Sequence, residues 1–465
     1  MDYNAAFAGM KVIDLSGGIA GPSCAMMLAQ HGADVIKVET PHHGGDWSRI
    51  LGRTYGDHSA FSLYGTLGKR SLALDLKTAE GKEVLWRLVR GADVFIEGFR
   101  PGTIKRYGFD YDAVKAKEPG IIYYAVSGFG QTGPMAARPA MDPVLRAFTG
   151  IVTENKGEHD GHPHRIAISL IDMFSGLLGF QAIATSLYVR REQAVKQGRF
   201  IELSLMQGGA ILSVIRMIAA YLERGTLQRI GMPNGVLNTA DGQINVTMIR
   251  PADWRPFCDA IEQPWLHDDP RFATFAARVE NLDELYTVIR PLFAAQTTAW
   301  LSERLTAKGI MNGRVNSYQE FLMEEQVAAT GIMSWLEQPG VAELASIRGM
   351  CLPNMDFRRG RSRHCSRRTW WLGGNCRVPG RFAVQGHARF DVAPLRSGQY
   401  ARQQRQGVPF MTVPLPRVTA AVLVLALSAG AARAQEAAAV RLKEYRTSPP
   451  LLRALLYRMP KGGDL

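Results

Sequence analysis

Lys11–Glu39 reads KVIDLSGGIAGPSCAMMLAQHGADVIKVE, and this stretch decides the fold. Lys11–Leu15 is a short β-branched run of strand type, and Ala33–Glu39 is another. Between them Gly17-Gly18-Ile19-Ala20-Gly21-Pro22 makes a turn. Pro22 then opens a helical pattern to His31, near the first turn, where a proline's missing N–H does little harm. Strand, turn, helix and strand in this order point to a parallel sheet. The turn also imitates a dinucleotide fingerprint, with Glu39 as the ribose-binding acid. The imitation is loose: GGxxGP is not GxGxxG, and Pro22 removes an amide that a phosphate would use.

The alternation continues outward. Ser71–Leu76 (SLALDL), Ala92–Phe99 (ADVFIEGF), Ile121–Val126 (IIYYAV) and Arg199–Leu205 (RFIELSL) are strand-like, and Thr78–Arg90 is helical. The expected class is α/β: a Rossmann-like parallel sheet forming a large domain over residues 1–225, with a smaller α+β domain over 226–353. A long helix is expected from Asp172 to about Arg191, and a second apolar helix to about Leu222. Gly225–Gly242, containing PNG and ADG, reads as a linker.

Beyond the second domain the character changes. Residues 354–410 carry RRGRSRHCSRRTWW and RQQRQG without helical or strand period, and read as a shifted-frame segment expected to be disordered. Residues 411–465 open on MTVPLPRVTAAVLVLALSAGAARAQ, where basic Arg417, an apolar core and Ala432-Arg433-Ala434 make the pattern of a secretory signal. Its apolar run is shorter than the roughly 20 residues of a membrane span. The final LLYRMPKGGDL resembles the entry to an adenosine-deaminase-type domain. No function is assigned past about Phe357.

The formal charge of +13 invites a nucleic-acid reading, but +11 falls in 357–410 and +5 in 411–465, which leaves the body at −3. A polyanion-binding groove is therefore not expected. The five cysteines contain no CxxC pair and give neither a disulfide framework nor a zinc site. The chain runs into its first strand without a signal-like prelude. These features lead to the expectation of a reduced, cytoplasmic protein with no membrane partner and no metal. Cys24, beside the glycine turn, reads as a small packed residue.

Arg165–Gly176, RIAISLIDMFSG, holds one carboxylate, Asp172, inside an apolar run. Such a group must be solvated, neutralised or used. Either Asp172 caps the helix that follows, or it is a nucleophile.

DLSGGIAGPSCAMMLAQHGADVIKVE, GKRSLALDLKTAEGKEVLWRLVRGADVFIEGFRPG, GFGQTGP and ISLIDMFSG stand in the order and spacing found in class III coenzyme A transferases. The chain resembles that family from about Lys11 to about Pro353. The resemblance implies an interlocked homodimer and an enzyme that passes coenzyme A from an acyl-CoA to a carboxylic acid, succinyl-CoA being the donor that family frequency suggests. No permanently bound cofactor is implied, because the coenzyme A thioester is itself substrate. Asp172 matches the catalytic residue, which attacks the thioester and forms first a mixed anhydride and then an aspartyl-CoA thioester. Amides of glycine-rich turns would stabilise the oxyanions. Around the nucleotide the resemblance places Ala20, the segment Leu74-Asp75-Leu76-Lys77, Phe99 and Arg106. Arg106 is either a phosphate partner or a solvated helix charge; Lys69 and Arg70 are either phosphate neighbours or an ordinary basic turn.

Departures from the family carry information as well. Where its formyl-CoA members have His and Gln in the first turn, this chain has Gly17 and Ile19, which argues against formate and oxalate. The α-methylacyl-CoA racemases of the same fold need a His immediately before an Asp. Here Met141 precedes Asp142, so racemisation ranks behind transfer. An NAD-dependent oxidoreductase built on the glycine turn and an inactive CoA-binding fusion product rank lower still. Asp142 either orients substrate or solvates a turn. His159, His162 and His164 lie in a Gly/Pro-rich loop without ligand spacing and are expected to be exposed.

Overall fold

The structure is a computed structural model that describes residues 5–155, 162–164, 166–225, 233–337 and 346–350, all within one compact unit, Met1–Cys376. The expectations for 354–410 and 411–465, and for His159, lie outside the described residues.

Six strands build the main sheet: β1 Lys11–Asp14, β2 Asp34–Glu39, β3 Arg70–Ala73, β4 Val94–Glu97, β5 Ile122–Ser127 and β6 Arg199–Ser204. They lie in the order β3-β2-β1-β4-β5-β6, and every neighbouring pair is parallel. Both faces are covered, as a parallel sheet requires. One face sets Val12, Val94, Ile96 and Tyr124 against α1 (Ala20–Gln30) and a long helix, Leu170–Arg191. The other sets Ile13, Ile36, Phe95 and Tyr123 against the helix Ala79–Val89 and the segment around Ile104–Val114. Successive residues of one strand thus feed opposite cores. The strand order reverses between β1 and β4, and a crevice is expected beyond the carboxyl ends at such a switch point.

Numbered in chain order after α1, the helices are α2 Ala60–Thr66, α3 Ala79–Val89, α4 Thr103–Tyr107, α5 Tyr111–Lys117, α6 Asp142–Phe148 and α7 Leu170–Arg191. Glycine is what lets α7 approach its neighbours. A Cβ on Gly176 would lie 2.7 Å from Ser23 Cβ and 2.9 Å from the Ala20 carbonyl, and one on Gly179 would lie 2.5 Å from the Tyr124 hydroxyl. This close seat brings the start of α7 to the start of α1, at the carboxyl edge of the sheet. By length and composition alone α7 could cross a bilayer; here it is a core helix of the sheet, with Ile183 and Leu187 buried.

Two expectations need correction. The single apolar helix after β6 is two helices, α8 Leu205–Leu212 and α9 Val214–Leu222, bent by 64° where Ser213 leaves the helical dihedrals. Of the stretch read as a linker, Asn234–Thr239 is a strand, β7. It pairs antiparallel with β8, Gly242–Thr247, across a two-residue turn at Ala240 and Asp241. ADG marks that turn in the sequence, but the strand it serves is polar except for the buried Leu237 and its neighbour Val236. Met311–Arg314 (β9) completes the antiparallel sheet in the order β9-β8-β7. Its core of Leu237, Ile244, Phe257, Ile289, Phe293 and Leu305 is separate from the cores of the parallel sheet.

Candidate active site

The loop after β5 leaves no room for a side chain at Gly128, which lies against Ala140, so the chain returns on itself and delivers Asp142 as the first residue of α6. Asp142 is 2% exposed. Its Oδ2 accepts the amides of Ile171 and Asp172 at 2.7 and 3.1 Å, and its Oδ1 lies 2.5 Å from Arg146 Nε. Ser169 occupies the N-cap of α7 but makes no side-chain cap bond. The amides that an N-cap side chain ordinarily satisfies are therefore satisfied by Asp142.

Asp172 is the third residue of α7, not its cap, and the capping reading of this residue falls. Its carboxylate is half-buried and has no hydrogen-bond partner among the described residues. Burial first, then the neighbouring Asp142, push its carboxyl up to about 7, against the pull of Arg146. One turn on, Gly176 fits against Ala20, so Asp172 stands close to the first turn of α1.

That first turn is not an open phosphate cradle. Asp46 reaches over it: its Oδ1 accepts the Gly18 and Ser48 amides at 3.1 and 2.9 Å, and its Oδ2 pairs with Lys37 Nζ at 2.9 Å. The Trp47 indole covers Gly18 so closely that no Cβ fits there. Glu39, the would-be ribose acid, is held by Arg49 through two bonds of 2.8 and 2.7 Å and by the Ser71 hydroxyl at 3.0 Å. An acid thus fills the place of a pyrophosphate, and the dinucleotide reading loses its site. The Gly18 amide is likewise unavailable to a reacting oxyanion. Lys69 is buried and paired with Asp14 at 2.8 Å, and Arg70 is paired with Asp34, so the basic pair of GKRS is structural. Cys24 is fully buried, and burial raises its thiol out of reactive range, in keeping with a packing role. Asp46 and Trp47 escape a reading of the sequence; PHHGGDWSR carries no period that would tie it back to the glycine turn.

The residues expected around the nucleotide divide between the two faces of the sheet. Ala20 is the first residue of α1, on the Asp172 side. Leu74, Leu76 and Phe99 pack on the opposite core, and Phe99 meets Tyr107 edge-on at 6.0 Å. Asp75 accepts from the Lys77 amide at 2.9 Å and contacts His42 at 2.9 Å. Arg106 lies exposed on α4, with the Thr103 hydroxyl at 3.0 Å. Leu74–Lys77 follows β3 and Phe99 follows β4, so these groups share the carboxyl edge with Asp172 but approach it from the other side. Next to Phe99, buried Glu97 accepts the Phe99 amide at 2.8 Å, and burial pushes its carboxyl up to about 7. Glu97 also escapes a sequence reading, because a lone acid in a strand has no pattern to mark it.

His162 and His164 are exposed. Among the described residues no cluster of three or more His, Cys, Asp or Glu side chains is placed to hold a metal ion. Met141, at the N-cap of α6, is 50% exposed and offers no base beside Asp142.

Known proteins resemble this chain in sequence as well as in fold. A succinate–glutarate CoA-transferase of Agrobacterium fabrum is 33% identical over 348 residues, which are 71% of this chain and 85% of that one. An acetyl-CoA:oxalate CoA-transferase of Acetobacter aceti is 32% identical over 334 residues, 70% and 85% of the two chains. The crystal structure of a CaiB/BaiF family protein from Brucella suis matches with a TM-score of 0.65 at 30% identity, covering 75% of this chain and 92% of that one. The family model described as CoA-transferase family III matches residues 7–364, and the chain belongs to that family of CoA-transferases.

Proposed function

We propose that the protein moves coenzyme A between two carboxylic acids through a covalent intermediate on Asp172. The observation that carries this reading is the state of Asp172: half-buried, without a hydrogen-bond partner among the described residues, and set at the carboxyl edge of the sheet. A carboxylate removed from water without being bonded elsewhere is reactive toward an acyl carbon.

The Asp172 carboxylate adds to the thioester carbonyl and the coenzyme A thiolate leaves, giving a mixed anhydride. The thiolate then attacks the Asp172 carbonyl of that anhydride; the donor acid departs and an aspartyl-CoA thioester remains. The acceptor carboxylate displaces the thiolate in turn, and the thiolate takes the acceptor's acyl group and releases Asp172 as it began. Every step exchanges one acyl–oxygen and one acyl–sulfur bond, so no redox partner is needed. Leu74–Lys77, Phe99 and Arg106 receive the nucleotide end, and the pantetheine crosses the sheet edge to reach Asp172. Succinyl-CoA is the proposed donor, a choice supported by the succinate–glutarate relative.

The active form is proposed to be a homodimer. Apolar α9 has no buried residue, and Ile215 and Tyr221 are 77% and 85% exposed. A face of this kind is suited to a second copy of the chain. Sedimentation should give a dimer; a stable monomer at micromolar concentration would refute it. A cytoplasmic location is proposed on the cysteine pattern.

The test is mass spectrometry of the Asp172 peptide after incubation with succinyl-CoA and then hydroxylamine or borohydride. Modification confined to Asp172, and its absence with acetate and free coenzyme A, supports the reading. Full exchange activity in Asp172→Ala would end it.

A further inference from the structure

Asp142 and Arg146 lie one turn apart on α6, and both are 2% exposed. One oxygen of Asp142 is engaged by Arg146 at 2.5 Å, and the other accepts two amides of the first turn of α7. Arg146 also donates to the Ile166 carbonyl, on the segment that leads into α7. The helix that carries Asp172 thus begins on a carboxylate supplied by another helix.

We infer that Asp142 is a positioning residue for Asp172: it takes the N-cap place of α7 from outside, fixes the first turn, and cancels the positive helix end that would weaken Asp172 as a nucleophile. This rests on the reading of Asp172 given above. An acid in the first turn of a helix is ordinarily favoured as an anion by free amides and by the helix dipole. At Asp172 both are already answered by the negative charge of Asp142. The result is a more basic carboxylate, raised to about 7 by burial and by Asp142.

The other elements packed on this end of α7 bring little competing charge. From α1 comes only the Cys24 thiol, and from β5 the Tyr124 phenol, both raised by burial. From β6, Ile201 and Leu203 face this core, while Glu202 binds the Gln131 amide. The α8 segment LMQGGAIL has no ionisable side chain. Asp142 and Arg146 therefore set the balance between them, in opposite senses.

The experiment is a titration of the Asp172 carboxyl by infrared difference spectroscopy, with Asp172→Asn supplying the assignment, in the full chain and in D142N and R146Q. Exchange with succinyl-CoA is measured alongside as a function of pH. In D142N the Asp172 titration and the acid limb of activity should both fall by about one pH unit or more, and in R146Q both should rise. The plateau kcat of D142N should drop several-fold while KM for succinyl-CoA holds. Unshifted titrations, or shifts of the same sign in the two variants, would overturn the inference. So would loss of folded protein in both, because that outcome would mark the pair as a fold determinant. If Asp172→Asn retains exchange, the nucleophile reading fails on its own, whatever the titrations show.

Discussion

Two groups of carboxylates line the same sheet edge and are treated in opposite ways. Under the glycine turn, the carboxylates of Asp14, Glu39 and Asp46 are almost wholly buried, and each has a cation: Lys69, Arg49 and Lys37. Burial alone would raise Asp14, yet the two lysines beside it win and hold it below the ordinary range; burial would raise Glu39 too, but Arg49, Lys37 and the Asp46 amide together draw it down to about 2. At the start of α7 the order is reversed. Asp172 is no more buried than those three but has no bonded partner among the described residues, and it is raised to about 7. Greater burial is therefore not what sets the reactive acid apart from the structural ones; the missing partner is.

The sharpest way to break this contrast is Asp172→Asn, which should lower the rate of coenzyme A exchange by about 10⁴-fold or more. The same change should stabilise the fold at alkaline pH. A carboxyl raised in the folded state retains its proton there, so its contribution to stability is complete below the unfolded value near 3.9 and is lost as pH rises through about 7. The melting temperature of Asp172→Asn should exceed the parent's at pH 8, and the gap should close toward pH 4. A variant less stable at both pH values would place Asp172 among the structural acids.

Lys69→Met makes the reverse test. It leaves Asp14 with one of its two lysines in a site closed to water, and breaking a buried pair costs about 3–5 kcal/mol. Urea unfolding at pH 7 should report that loss, with little change in m. For Glu39 the window is acidic: its depressed carboxyl contributes stability above the unfolded value near 4.3, lost as pH falls toward about 2. Arg49→Leu should flatten that acid limb.

Much of the sheet can be read in the sequence, because β-branched runs alternating with helical periods mark a parallel α/β fold. All six strands fall within a few residues of expectation, Ser71–Leu76 being the most displaced: its second half, Leu74–Leu76, lies past β3. Asp172 stands out as a lone acid in an apolar run. What stays hidden depends on contacts between distant segments. Asp46 lies 28 residues from the Gly18 amide it accepts, and Asp142 lies 29 and 30 residues from the amides it caps. No local period records such bonds. Lys69 and Arg70 show the same limit in the other direction, since two adjacent bases look alike until one is seen buried on Asp14 and the other spread on Asp34.

Gly176→Ala sharpens the comparison on the side of geometry. The added Cβ meets Ser23 Cβ at 2.7 Å and the Ala20 carbonyl at 2.9 Å, and the second of these is backbone that cannot rotate away. Overpacking of this sort costs about 1–3 kcal/mol. It also moves Asp172 relative to α1, so kcat should fall further than the stability loss accounts for, measured at a temperature where the variant is fully folded. An unchanged kcat would mean that the nucleophile does not depend on the seat of α7.

The smallest expected effect separates two arginines on the other face. Arg106 is exposed on α4 and meets the Thr103 hydroxyl through one nitrogen, whereas Arg70 is held by both oxygens of Asp34, at 2.9 and 2.5 Å. A guanidinium in the first condition has its Nε–Nη fork free of any carboxylate among the described residues; in the second that fork is already taken by one. Arg106→Ala should raise KM for the acyl-CoA by about three- to tenfold with kcat held, and salt should erase part of the difference, as it does for exposed charge pairs. Arg70→Ala should leave KM where it is. Equal increases from both substitutions would mean that the nucleotide senses only the summed charge of this surface, and the distinction between an engaged and an available side chain, decisive at Asp172, would not extend to the coenzyme's phosphates.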